Sequence, residues 1–109
     1  MEKIREAEKY ANTYFSWGRS DNGWKTDRGK IMLKYGFPAD RNLEVATAGK
    51  RAWSDWWYPN VQGGANFYFV DIGGFGDFRL VHSTVQGEIY HADWYNQFVP
   101  DSRNNPNND

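Results

Sequence analysis

Asn66-Phe67-Tyr68-Phe69-Val70-Asp71 and Asp77-Phe78-Arg79-Leu80-Val81-His82-Ser83, joined by Ile72-Gly73-Gly74-Phe75-Gly76, decide the fold of this chain. Both runs are short, rich in aromatic and β-branched residues, and bounded by glycine. Two such runs with a five-residue gap read as a β-hairpin. Period-two alternation sets Phe67 and Phe69 against Tyr68, and it places His82 with Phe78 and Leu80, facing a core.

Upstream, Trp53 to Tyr58 reads as another strand, closed by Pro59-Asn60, and Gln62-Gly63-Gly64 is the turn into the hairpin. Trp53 and Trp57 share one face of it, Trp56 and Tyr58 the other. Residues 39–51 have no clean period and read as a loop with room for one helical turn. Residues 30–35 alternate, with Ile31, Leu33 and Tyr35 on one side, and read as a fourth strand. The rival is a helix from Thr26 with Thr26 as its N-cap. Gly29 would weaken the interior of that helix, which favours the strand. Gly36-Phe37-Pro38 ends the element either way.

Residues 2–16 read as an amphipathic helix with Ile4, Ala7, Ala11, Tyr14 and Phe15 on one face and a stop at Gly18. Residues 89–99 are ambiguous between a short strand and a short helix. Residues 101–109 are Asn- and Pro-rich and read as a disordered tail after one domain over residues 1–100. The sum is an α+β fold: an N-terminal helix packed on a roughly four-stranded antiparallel meander, with a short C-terminal helix or strand.

The 109 residues suit a single domain. Six Trp, seven Tyr and seven Phe give a small core large buried areas, and leave enough rings over for an aromatic surface. Thirteen basic and fourteen acidic side chains, net −1, argue against capture of nucleic acid, although Lys25, Arg28, Lys30 and Lys34 form a local basic run. The absence of cysteine removes disulfides and thiolate chemistry. No apolar run is long enough to span a bilayer. The charged start, Met1-Glu2-Lys3-Ile4-Arg5, carries no export signal, so an excised segment with any such signal upstream is expected.

Gly23-Trp24-Lys25-Thr26-Asp27-Arg28-Gly29 reads as a rigid corner, with Trp24 as an anchor and Thr26, Asp27 and Arg28 organising the backbone around it. The stretch resembles the signature of the GWxTD domain family. The likeness continues through Arg28-Gly29-Lys30-Ile31, Tyr35-Gly36-Phe37-Pro38-Ala39-Asp40, Trp56-Trp57-Tyr58, Phe69-x-Asp71 and residues 76–83, with Tyr10-Ala11-Asn12 and Phe15 before it. Phe37 stands where that family usually has a second proline, and Trp53-Ser54-Asp55-Trp56 replaces a more aliphatic or acidic lead-in. The resemblance implies an exported or cell-envelope protein of Bacteroidetes-like bacteria with further domains upstream. It carries over no catalytic residue and no cofactor.

Several residues admit both a structural and a chemical reading. Thr26 or Asp27 could cap backbone N–H groups while Arg28 pairs with Asp40, Asp71 or Asp77; a catalytic Asp with an anion-binding Arg is the alternative. Asp71 and Asp77 flank the glycine loop, where turn capping competes with cation binding. A zinc site on His82 and His91 would need two further ligands, for which only Asp and Glu are available; a structural role for the histidines is favoured, and no metal is expected. Adjacent strand residues point to opposite faces, which discards a Ser83-His82-Asp77 triad. The aromatic residues Trp53, Trp56, Trp57 and Tyr58 are the candidate binding surface, unless both sheet faces are core. One face should meet a helix, and the other is covered by residues 89–99 or left open. The expected function is a non-catalytic interaction or structural module contacting a protein partner or an upstream domain. Glycan binding by exposed rings is the alternative, and an Asp-dependent hydrolase a further one.

Overall fold

The computed structural model describes Lys9 and residues 23–101. The helix expected over residues 2–16 and the tail over residues 102–109 lie outside the described residues, as does the side chain of Trp24. A 3-10 turn (Gly23–Lys25) leads into helix α1 (Asp27–Tyr35), strands β1 (Asp40–Glu44), β2 (Trp53–Tyr58), β3 (Ala65–Asp71) and β4 (Phe78–Ser83), and a short helix α2 (Trp94–Phe98). The four strands form one antiparallel sheet in the order β1-β2-β3-β4. The α+β meander expected from the hairpin is the fold observed.

Residues 30–35 are helical, which corrects the strand expected there. Thr26 Oγ1 accepts the Gly29 N–H at 3.1 Å, and the Thr26 carbonyl accepts the Lys30 N–H at 2.9 Å. This is an N-cap. Gly29 thus sits in the first turn, where a donor needs a partner from outside the helical ladder, and its flexibility costs little. Gly36, at φ +85°, donates its N–H to the Met32 carbonyl at 2.8 Å and ends the helix. Ile31 and Met32 are both buried while Lys30 and Lys34 are exposed, so burial follows a helical face and not the alternation of a strand.

The remaining strand is β1, in the segment read as a loop. Asp40 pairs with Trp57 and Glu44 with Trp53. All five β1 residues are exposed, so no hydrophobic alternation marks the strand in the sequence.

The sheet carries a layer on each face. Beneath α1 lie Trp56, Tyr58, Phe67, Phe69 and Phe78, with Ile31, Met32 and Val85. Burying each large apolar side chain contributes about 1.5–3 kcal/mol, so these rings dominate the core. The Tyr58 hydroxyl donates to the Gly36 carbonyl at 2.9 Å and pins the end of α1 to the sheet. On the other face Val70, Val81 and Val99 are buried beneath Trp53, Tyr68, Trp94 and Phe98. Residues 89–99 resolve as a short helix and its approach, and cover this second face in part.

A β-bulge separates the two layers on β4. Tyr68 pairs with His82, but Phe69 pairs with Leu80, so Val81 is the extra residue. Val81 and His82 therefore join Tyr68 on the second face. This corrects the parity argument that grouped His82 with Phe78 and Leu80.

Candidate binding surface

The four candidate aromatics separate by face and by exposure. Trp56 is 2% and Tyr58 4% exposed, both within the core under α1. They are removed from the candidate surface, because a helix covers their side of β2. Trp57, on the opposite face, is 37% exposed. Its ring is braced by the backbone of the turn that follows β2: a Cβ at Gly64 would stand 2.7 Å from Trp57 Cη2. Trp53 is half-buried, meeting Trp94 at 5.2 Å and Tyr95 at 5.9 Å between ring centroids.

Around these rings the β1–β2 edge is open. Leu43, opposite Ser54, and Val45, just beyond β1 and near Trp53, are strongly exposed, while Trp57 stands at the other end of the edge opposite Asp40; β1 has β2 as its one strand neighbour among the described residues. Asp40, Arg41 and Glu44 intersperse charge along this edge. Leu43 and Val45 escaped the sequence reading. The available signal was a pair of aliphatic residues isolated in a polar, non-periodic run.

At the end of that edge a cleft of about 310 Å³ is lined by Glu44, Val45, Thr47, Lys50, Arg51, Trp53, Tyr95 and Val99. Its floor is fixed. Arg51 donates to the carbonyls of Ile72 at 2.9 Å, Phe98 at 2.9 Å and Pro100 at 3.1 Å, and lies 3.9 Å from the buried Asp101 carboxylate. Asp101, assigned by the sequence to the tail, is thus tied to the domain. Trp53 and Tyr95 meet at 84°, forming an aromatic corner. Glu44, Thr47 and Lys50 supply a polar rim, with the Lys50 ammonium 6.0 Å from the Tyr95 ring.

In the signature corner the side chains of Thr26, Asp27 and Arg28 serve the scaffold. Thr26 Oγ1 donates to the Gly23 carbonyl at 2.6 Å besides capping α1. Asp27 Oδ2 accepts the Leu80 N–H at 2.8 Å and lies 3.5 Å from Arg79 Nε. Arg28 donates to the Gly76 carbonyl at 3.3 Å and stacks over Phe78 at 4.4 Å. Asp71 accepts N–H groups of Gly74 and Gly76 at 3.0–3.1 Å, which makes it a loop cap. Asp77 meets Arg79 at 3.3 Å. Asp27, Asp77 and Arg79 line a second cleft of about 380 Å³ with Phe75 and Leu80. Its carboxylates are occupied by Arg79.

Ser83 Oγ–H donates to the Ile89 carbonyl at 3.0 Å, while His82 Nδ1 accepts the His91 N–H at 2.9 Å. The two side chains serve different faces, in keeping with the discarded triad. Among the described residues no group of three or more His, Asp or Glu is placed to hold a metal ion, and no helix is long and apolar enough to cross a membrane. No protein-family model matches the chain, and the curated proteins and the solved structures give no match either.

Proposed function

We propose that this domain is a non-catalytic interaction module that presents the β1–β2 edge to a protein partner or to another domain of its own polypeptide. The observation that carries this reading is the edge itself: all five residues of β1, Leu43 among them, are exposed, with the exposed Val45 just beyond the strand and the exposed Trp57 on the neighbouring β2. Exposed strand edges are ordinarily covered or blunted, and here apolar side chains accompany the charges. The engagement of Asp27, Asp71 and Asp77 in caps and ion pairs supports a binding role over hydrolysis. The likeness to the GWxTD family supports placement in an exported, envelope-associated protein.

The test is a photo-crosslinking residue at Leu43 in the full-length protein, in its own cells. A discrete adduct that disappears with Trp57→Ala is expected. Adducts from Phe75, an exposed loop position remote in sequence, that match those from Leu43 would refute the edge as the contact.

A second reading rests on the cleft. Orthogonal Trp53 and Tyr95 rings with a hydroxyl and both charge signs at the rim suit stacking and hydrogen bonding to a neutral sugar. Tryptophan emission should then shift on titration with cell-wall or algal polysaccharides, and a flat response across the panel rejects it.

A further inference from the structure

The charged clusters of the described residues are largely closed on themselves. Asp27 and Asp77 meet Arg79, Glu88 meets Lys34 and Tyr35, and Arg51 meets three carbonyls. His82 differs. It is 7% exposed, and Nδ1 is the acceptor for the His91 backbone N–H. An imidazole accepting through Nδ1 is neutral and carries its proton on Nε2. Once protonated, Nδ1 is itself a donor and faces another donor.

The surroundings offer a cation little. From β3, Tyr68 stacks on His82 at 5.4 Å, and Asp55 of β2, its cross-strand partner, acts on the Tyr68 phenol. From the segment before α2, Tyr90 meets the imidazole edge-on at 4.9 Å, and His91 adds a second imidazole whose buried Nε2 has no hydrogen-bond partner. From α2, Trp94 stacks on Tyr68 at 4.6 Å. Residues 90–97 form a strap across the second face. Its ends are held independently: Ser83 N–H and Oγ–H both reach the Ile89 carbonyl, and Arg51 holds the carbonyls of Phe98 and Pro100.

We propose that His82 is an acid-sensitive latch whose protonation breaks its bond to His91, releases the strap between those two anchors and uncovers Trp53 and Tyr68. Burial already holds the His82 imidazole below its ordinary 6.5, and the neighbouring His91 acts in the same direction. The closed form favours the neutral ring. The open chain therefore binds more protons as pH falls below about 6.5, and the closed form loses stability across that window.

The experiment is nuclear magnetic resonance of the intact domain from about pH 7.5 to about pH 5, spanning the imidazole range. Amide exchange at His91 is read as protection relative to the intrinsic rate. That protection should fall about tenfold per pH unit once His82 titrates, with Trp94 resonances moving at the same midpoint. His82→Asn places an acceptor oxygen near the Nδ1 position and cannot titrate, so its protection should be independent of pH. His91→Gln should keep the acid response. Constant protection in the natural sequence overturns the latch, as does an acid response that survives His82→Asn or is lost in His91→Gln. Should the Asn variant not fold, the natural sequence still decides. Distinct midpoints for the His82 ring nitrogens and the His91 amide reject the proposal.

Discussion

The carboxylate of Asp27 accepts the backbone N–H of Leu80 at 2.8 Å. The first residue of α1 thereby occupies a donor on the outer edge of β4 and fixes how the helix lies on the sheet. An ion pair with Arg79 at 3.5 Å holds that carboxylate in place. Asp27→Ala should cost about 1.5–3 kcal/mol, the range for a hydrogen bond to a charged acceptor. The carboxylate is partly exposed, so the lower half of that range is expected. Urea unfolding measures it, and Asp27→Asn should recover part of the loss. An unchanged midpoint for the alanine variant would show the contact to be dispensable.

Trp56 and Trp57 are neighbours with opposite duties. Trp56→Ala opens the core beneath α1 and should cost about 3–5 kcal/mol. Trp57→Ala should cost much less, while weakening partner capture at the β1–β2 edge. Equal destabilisation of the two variants, in the same unfolding experiment, would contradict the assignment of faces.

Gly64 has φ +123°, and a Cβ there would stand 2.7 Å from the Trp57 ring. Gly64→Ala therefore combines backbone strain with displacement of that indole. A loss of about 1–3 kcal/mol is expected from the strained backbone alone. Trp57 indole resonances should shift, and a variant with natural stability and an unmoved Trp57 signal would count against the brace.

Glu88 accepts from Lys34 Nζ and the Tyr35 hydroxyl, both at 2.6 Å. The Lys34 contact, followed by the Tyr35 contact, holds its carboxyl below the ordinary 4.5. The fold therefore favours the ionised form. The stability this supplies is present above about pH 4.5 and is lost as pH falls through the folded value. Glu88→Gln should flatten the acid limb of the stability curve below that point and leave untouched the limb assigned to His82. Superimposable curves for the two proteins below about pH 4.5 would exclude this contribution.

The hairpin and β2 are legible because aromatic and β-branched density coincides with glycine boundaries. β1 is not, since a strand exposed on both faces needs no apolar alternation. Thr26 and Gly36 signal the helix α1, but Gly29 masks it, because a glycine that looks interior in the sequence occupies the first turn. The alternation along β2 sorted its four rings correctly into two pairs. Which pair is covered depends on where a helix docks, and the docking contact, Asp27 to Leu80, joins positions far apart in the chain. The candidate surface was consequently half legible: Trp57 and Trp53 retain access, Trp56 and Tyr58 do not, and Leu43 with Val45 carried no periodic signature.

Val81 has no opposite number on β3. Downstream of it, odd and even positions exchange allegiance, so that Ser83 returns to the layer of Phe67 while His82 is delivered to that of Tyr68. One supernumerary residue thus acts as a frameshift in the geometry of the strand. Were Val81 drawn into a regular ladder opposite Tyr68, His82 would fall opposite Phe67 and its imidazole would turn inward among hydrocarbon rings, where no main-chain donor from residue 91 awaits it. The sensitivity of this protein to acid would, on this view, be written in a strand's register as much as in its composition.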